Sequence, residues 1–330
     1  MSSAQVTERQ APPAKREITT LPRFSDRVFR GVVSLMSMSS LVILSLIGIF
    51  LAYRGFETFR SQGIHFLTSP DWLSETDASG KVIYKFGMSA MLIGTLLISI
   101  VAVIVGVPLS VLAALFLTFY APNSLKKFFV TIVDVMAAFP SILYGLWGFF
   151  VLSPMAEYWA KLINKYFGWF PAFHVDDPSF NSSPFIAGLV LSIMIIPIVT
   201  SVSREIFSQT PLDRIQAAYA LGATRWAMIR TVALPFGASG IVGGAMLGLG
   251  RALGETVAVY SVLNIVYKIN WHVLYGFGGN VASMIVSKWG EASFTEAKAL
   301  LAAGLVLFIM TLLVNMGANS IVTRTIKSGR

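Results

Sequence analysis

Six long apolar runs alternate with polar stretches along this chain. Each is long enough, or nearly so, to cross a ~30 Å hydrocarbon core as an α-helix. They cover residues 31–53, 87–120, 128–152, 185–202, 241–267 and 299–323. The pattern predicts an all-α integral membrane protein, with one six-span domain from 31 to 323. The second run exceeds what a bilayer needs, and Pro108 is the expected site of a kink. Pro140 and Pro197 fall inside the third and fourth runs. Residues 1–30 form a polar, basic tail, disordered by composition over 1–22. Its charged lead and the apolar run after it are both too long for a cleaved signal peptide. Residues 324–330 form a second, short tail.

Charge orients the spans. An even number of crossings puts both termini on one side. That side holds both tails, the turn with Lys126 and Lys127, and the 203–240 loop with Arg204, Arg214, Arg225 and Arg230. These segments carry fifteen basic residues against five acidic ones, while the other three loops balance at nine of each. The positive-inside rule then places both termini of this multi-pass chain in the cytoplasm. The formal net charge of +9 is thus a topology signal, and no nucleic-acid partner is called for. The solvent of the spans is membrane lipid. The loops at 54–86 and 153–184 are rich in aromatics, including Trp72, Tyr158, Trp159, Trp169 and Phe170. They read either as an interfacial belt or as a docking surface for an external partner.

Composition agrees and removes other classes. The chain of 330 residues is 55% hydrophobic and only 12% charged, against roughly 25% charged in soluble domains. Cysteine is absent, and the three histidines are isolated in outside loops, so no metal site is expected. No G-x-x-x-x-G-K-[ST] stretch is present to cradle ATP, and no Ser/His/Asp grouping suggests an enzyme. ATP, if used, belongs to a partner subunit, and this chain binds no cofactor.

The 203–240 loop is not disordered in composition. Residues 211–221 read as a helix with proline at the start and Gly222 as its breaker. Thr224 is a candidate cap for a second helix, 225–232, ending before Pro235. Pattern alone leaves an interfacial connector and a docking element equally open.

The fifth run carries the costliest residues. Arg251 lies ten residues past Ile241, about 15 Å along a helix and half-way through the core. Gly240, Gly244 and Gly248 recur every four residues, a surface that admits a neighbouring helix closely, and Gly250 and Gly254 form a second pair one step round. Arg251 and Glu255 stand at i and i+4, on one face if the helix continues. One reading is an internal ion pair; the other is an anion site on a translocation path, because guanidinium grips oxyanions with two donors. An ionised Glu255 accepts hydrogen bonds only, so it favours a proton-bearing anion such as phosphate over sulfate. Thr256 lies beside this pair on the path. Asp134, about 9 Å into the third span, is expected to pair with Lys126 or Lys127.

Two resemblances follow from these residues. Gln216-Ala217-Ala218, then Gly222, Ile229 and Leu234-Pro235, resembles the EAA loop of binding-protein-dependent ABC importer permeases. That resemblance implies the type I importer permease fold, with this loop as the coupling element seated in an ATPase subunit. Gln216 stands where the family usually has Glu, keeping the size but not the charge. Gly250-Arg251-Ala252-Leu253-Gly254-Glu255-Thr256, with Gly94-Thr95 and the stretch from Pro140 to Gly148, resembles the permeases of the high-affinity phosphate importer, the PstC/PstA pair, and the PstC side more. The implied partners are a second, PstA-like permease in a heterodimer, two ATP-binding cassette subunits and an external phosphate-binding protein. The implied function is phosphate import by alternating access, with phosphate meeting Arg251. Two alternatives stay open: an ABC permease for another oxyanion such as sulfate, and an ion-coupled carrier using Arg251 and Glu255 as a charge relay.

Overall fold

The computed structural model describes residues 24–76, 82–176 and 179–328; the 1–22 tail lies outside them. Helix α1 (Phe24–Gln62) is followed by the short α2 (His65–Thr68) and a two-stranded antiparallel hairpin, β1 (Trp72–Thr76) and β2 (Val82–Phe86). The hairpin departs from the all-α expectation. It arises where aromatic and β-branched residues pack a sheet face, with Trp72 and Phe86 directly paired and buried. Then come α3 (Ser89–Leu115), α4 (Asn123–Ala138), α5 (Ser141–Trp147), α6 (Ser153–Phe167) and α7 (Pro184–Ser208). The chain closes with α8 (Leu212–Ala220), α9 (Arg225–Met228), α10 (Leu234–Gly254), α11 (Val257–Val262), α12 (Val281–Trp289) and α13 (Phe294–Ser328). Residues Phe24–Ile49 of α1 are exposed almost throughout and form a unit separate from the rest of the chain.

Among the described residues, five helices are long and apolar enough to cross a membrane, or six if the bent pair Asn123–Ala138 and Ser141–Phe167 is one span. The frame is α3 and α7, which run side by side in the same direction. Gly188 faces Val101, Gly106 faces Ile195, and Phe119 meets Phe207, in register from one end to the other. Glycine is required where a Cβ at 188 would fall 2.5 Å from the Val101 side chain. Helix α3 runs on through Pro108, and Ser110 Oγ next to it donates to the Gly106 carbonyl at 2.6 Å. The core around this frame is apolar, centred on Ile98, Leu191, Met194 and Ile195.

Two spans differ from the sequence expectation. The third was expected as one run over 128–152, but α4 stops at Ala138 and the segment Ser141–Phe167 leaves at 98°. Proline 140 explains the break: it lacks an amide hydrogen and pushes Phe139 into an extended conformation. Asp134 therefore sits on the exposed α4. Among the described residues it forms no ion pair with Lys126 or Lys127. The fifth span was expected over 241–267 after a separate helix ending before Pro235. Instead Arg225–Gly254 is one continuous helix. A π turn at Ile229–Ala233 carries the chain into Pro235, where the missing amide already loosens the α-ladder. The span then ends at Gly254, and residues 255–280 form a re-entrant segment containing only the six-residue α11.

Candidate functional site: two broken helices

The helices that follow the two breaks, α5 and α11, touch each other. The Phe139–Pro140 break is level with Ile193, nine residues into α7, at an apolar cavity of about 420 Å³ lined also by Met136 and Tyr144. A Cβ at Gly145 would lie 2.9 Å from the Ala258 Cα, so α5 and α11 meet backbone to backbone. Irregular backbone at membrane depth needs polar partners from the protein itself. Side chains supply them. Tyr144 Oη donates to the Met136 carbonyl at 2.7 Å, closing the frayed end of α4. Thr256 Oγ1 donates to the Gly254 carbonyl at 3.3 Å, and Asn280 Nδ2 to the Glu255 carbonyl at 2.5 Å, closing α10.

Asn280 is itself held. Its Oδ1 accepts from Ser283 N at 2.8 Å, capping α12, and the next amide, Val281 N, donates to Thr95 Oγ1 at 3.1 Å. Gly94 is needed beside it, since a Cβ there would stand 2.0 Å from the Gly279 carbonyl oxygen. The Gly94-Thr95 pair thus clamps the return of the re-entrant segment. Sequence reasoning missed Asn280 and gave Tyr144 no role. The Asn280-x-x-Ser283 spacing was a legible cap signal; the reach of Asn280 to Glu255 across twenty-five residues was not.

Arg251 occupies the last turn of α10, where the unpaired carbonyls of the helix end favour a cation. It is half-buried, forms no ion pair among the described residues, and acts electrostatically on Tyr144 across the junction. Glu255 is not its partner. The i, i+4 argument required a helix through 255, and Glu255 is extended. Its carboxylate is buried and Oε1 accepts from Ala258 N at 3.3 Å, at the start of α11. Among the described residues Arg251 is left without a hydrogen-bonded or ion-paired partner at the break, while Glu255 anchors the segment that leaves it.

The glycines divide in the same way. Gly240, Gly244 and Gly248 face Ile206, Val202 and Val199 of the antiparallel α7. Gly250 approaches Asn315 of α13, whereas no atom of another residue stands within 4 Å of where a Cβ of Gly254 would be. The second pair is therefore not one packing face.

At the opposite end of α10 lies the elbow. Ile215 and Ala218 of α8 pack onto Phe207, Met228, Ile229 and Ala233. Gly222 takes φ +79°, its N–H meets the Tyr219 carbonyl, and Ala223 N meets the Ala218 carbonyl. This Schellman arrangement ends α8 and favours glycine there. Thr224 Oγ1 accepts from Ala227 N at 3.2 Å, capping α9. Gln216, Ala217, Tyr219 and Trp226 are exposed, and Leu221 is 89% exposed. Leu234 is half-buried and Pro235 exposed where the elbow joins α10.

Residues 106–327 match the family model for the binding-protein-dependent transport system inner membrane component. The chain is 42% identical over 322 residues to the phosphate transport system permease protein PstC 2 of Mycobacterium tuberculosis, covering 96% of this chain and 98% of that protein. This chain belongs to the PstC family of binding-protein-dependent permeases. A phosphate transport permease PstC of Pasteurella multocida is 36% identical, over 87% of this chain and 88% of its own length. The fold of this permease is that of the type I ABC importers. A bacterial alginate ABC transporter, solved with a pentasaccharide-bound periplasmic protein, superposes with a TM-score of 0.60 at 18% identity, over 92% of this chain and 96% of that one. A chain of the inward-facing MetNI methionine transporter gives 0.51 at 17% identity, over 71% and 93%. As a multi-pass permease, this chain is a transport subunit and not an enzyme.

Proposed function

We propose that this permease carries inorganic phosphate across the cytoplasmic membrane by alternating access, as one of two permeases in an ATP-driven importer. The observation that carries the reading is Arg251: a half-buried guanidinium at a helix break, with no ion-pair partner among the described residues, in a family whose relatives are named for phosphate transport. A planar, permanently charged fork at that depth suits a tetrahedral oxyanion. The exposed elbow supports an ATPase contact through Gln216, Ala217, Leu221 and Trp226, with Gly222 setting the turn. The rigid helix 225–254 would pass a push on the elbow directly to Arg251, about 39 Å away along the axis at ~1.5 Å per residue. The basic-residue bias places elbow and termini in the cytoplasm and the hairpin outside. Two ATPase subunits supply hydrolysis, a PstA-like chain is the second permease, and an external phosphate-binding protein delivers the anion.

The test is radiolabelled phosphate uptake into vesicles holding the complete transporter. Uptake that requires internal ATP and the external binding protein, and that excess sulfate does not compete away, is the expected result. Uptake without an ATPase would establish an ion-coupled carrier instead, and equal sulfate competition would establish a general oxyanion permease.

A further inference from the structure

The re-entrant segment builds a second polar concavity, at the hairpin end of the molecule. It is an open cavity of about 510 Å³ lined by Tyr260, Leu263, Asn264, Ile265, Tyr267, Ser287 and Lys288. Its depth in the fold is fixed by Tyr267, whose ring stacks on Trp72 of the hairpin at 6.4 Å. Lys288 is the one charged side chain in the lining, and its ammonium lies 5.9 Å from the Tyr267 ring centroid. No carboxylate is within salt-bridge distance of Lys288 among the described residues. The nearby Glu296 is engaged elsewhere, accepting from Trp72 Nε1 at 2.8 Å. The Tyr267 hydroxyl is buried with no hydrogen-bond partner, which is costly for a polar group. Ser287 Oγ spends its proton on the Met284 carbonyl. Among the described residues, the uncommitted groups are therefore mainly donors: an ammonium, two phenols and the Asn264 amide.

The cavity is linked to Arg251 through α11, the helix that follows the α10 break. Tyr260 belongs to α11, and its amide is bonded to the Thr256 carbonyl. Helix α11 spans six residues, about 9 Å; Arg251 precedes it in the chain, and its Tyr260 lines the cavity together with Lys288. We propose that this cavity is an oxyanion-binding station, which takes inorganic phosphate as it leaves the binding protein and before it reaches Arg251. The proposal rests on the phosphate-import reading. A cationic station at the mouth raises the local anion concentration, and its single exposed-side charge holds the anion weakly enough to pass it on.

The experiment uses the complete transporter in lipid nanodiscs. Lys288 is labelled with an amine-specific reagent and its modification rate is read by mass spectrometry, with inorganic phosphate or with chloride at equal ionic strength. Phosphate is expected to slow Lys288 labelling about tenfold, the worth of one charge-assisted contact, while Lys161 labels unchanged. In transport, Lys288→Gln is expected to lower uptake about tenfold at limiting phosphate, and Lys288→Arg to restore most of it. A Lys288 that labels equally with and without phosphate, or not at all, overturns the station. Wild-type uptake by Lys288→Gln overturns it too, while leaving phosphate import standing. Equal protection by sulfate, with no ATP-dependent phosphate uptake, keeps the station and removes the import reading.

Discussion

The paired helices α3 and α7 and the two broken spans do opposite work. The first two run unbroken and bury their small residues against each other. The third and fifth spans stop inside the bundle, and there the chain gathers Tyr144, Arg251, Glu255, Thr256 and Asn280. Close packing gives a membrane protein a rigid reference, because helices gain little hydrophobic drive from one another in lipid. The breaks give it side-chain-capped helix ends and, at Arg251, a cation with no ion-pair partner among the described residues. Stability and chemistry are thus carried by different helices, and substitutions in the two regions should separate them.

The largest effect is expected where the two regions lock. Gly94→Val places side-chain atoms on the Gly279 carbonyl, which is backbone and has nowhere to move. Assembled transporter should be lost, as measured by co-purification of the second permease in mild detergent; full recovery would show that the clamp is dispensable. Within the frame, Ile195→Ala removes a fully buried side chain and should cost about 2–5 kcal/mol. Thermal melting in detergent should fall, while the uptake rate per folded transporter stays at the wild-type value. Asn280→Ala reverses that balance. It strands the Glu255 carbonyl and the Ser283 amide, costing about 1–3 kcal/mol, yet uptake per folded transporter should fall more than for Ile195→Ala. Equal losses in the two variants would dissolve the distinction between frame and break. The smallest effect belongs to Glu255→Gln. The Gln oxygen still accepts from Ala258 N, so melting should shift little, and the change should appear as stronger sulfate competition. Unchanged selectivity would leave Glu255 a purely structural anchor.

The sequence made the unbroken parts legible. Apolar length located α1, α3, α7 and α13, and glycine spacing marked the α10 face that meets α7. Proline, glycine and Thr224 spacing outlined the elbow. The breaks were harder because their causes are tertiary. The apolar run continues past Gly254 without a proline, and the two local stop signals, Arg251 in the last turn and Gly254 at its end, were read as substrate and packing residues. The stop depends on Asn280, which lies on the far side of the re-entrant segment and reaches back to the Glu255 carbonyl. Pro235 misled in the other direction: a helix was expected to end before it, and a π turn lets it continue. The pairing of Arg251 with Glu255 fell with the helix assumption, and what replaced it is an unpaired arginine.

That arginine carries the account. The most direct measurement places wild-type and Arg251→Ala transporters in proteoliposomes, with ATP inside and phosphate-loaded binding protein outside, and follows ATP hydrolysis and phosphate accumulation together. Loss of two charge-assisted hydrogen bonds should lower accumulation about a hundredfold or more. Assembly and stimulated ATP hydrolysis should persist, because the elbow is untouched. Phosphate accumulation at the wild-type rate by Arg251→Ala would contradict the account and remove the broken fifth span from the substrate path.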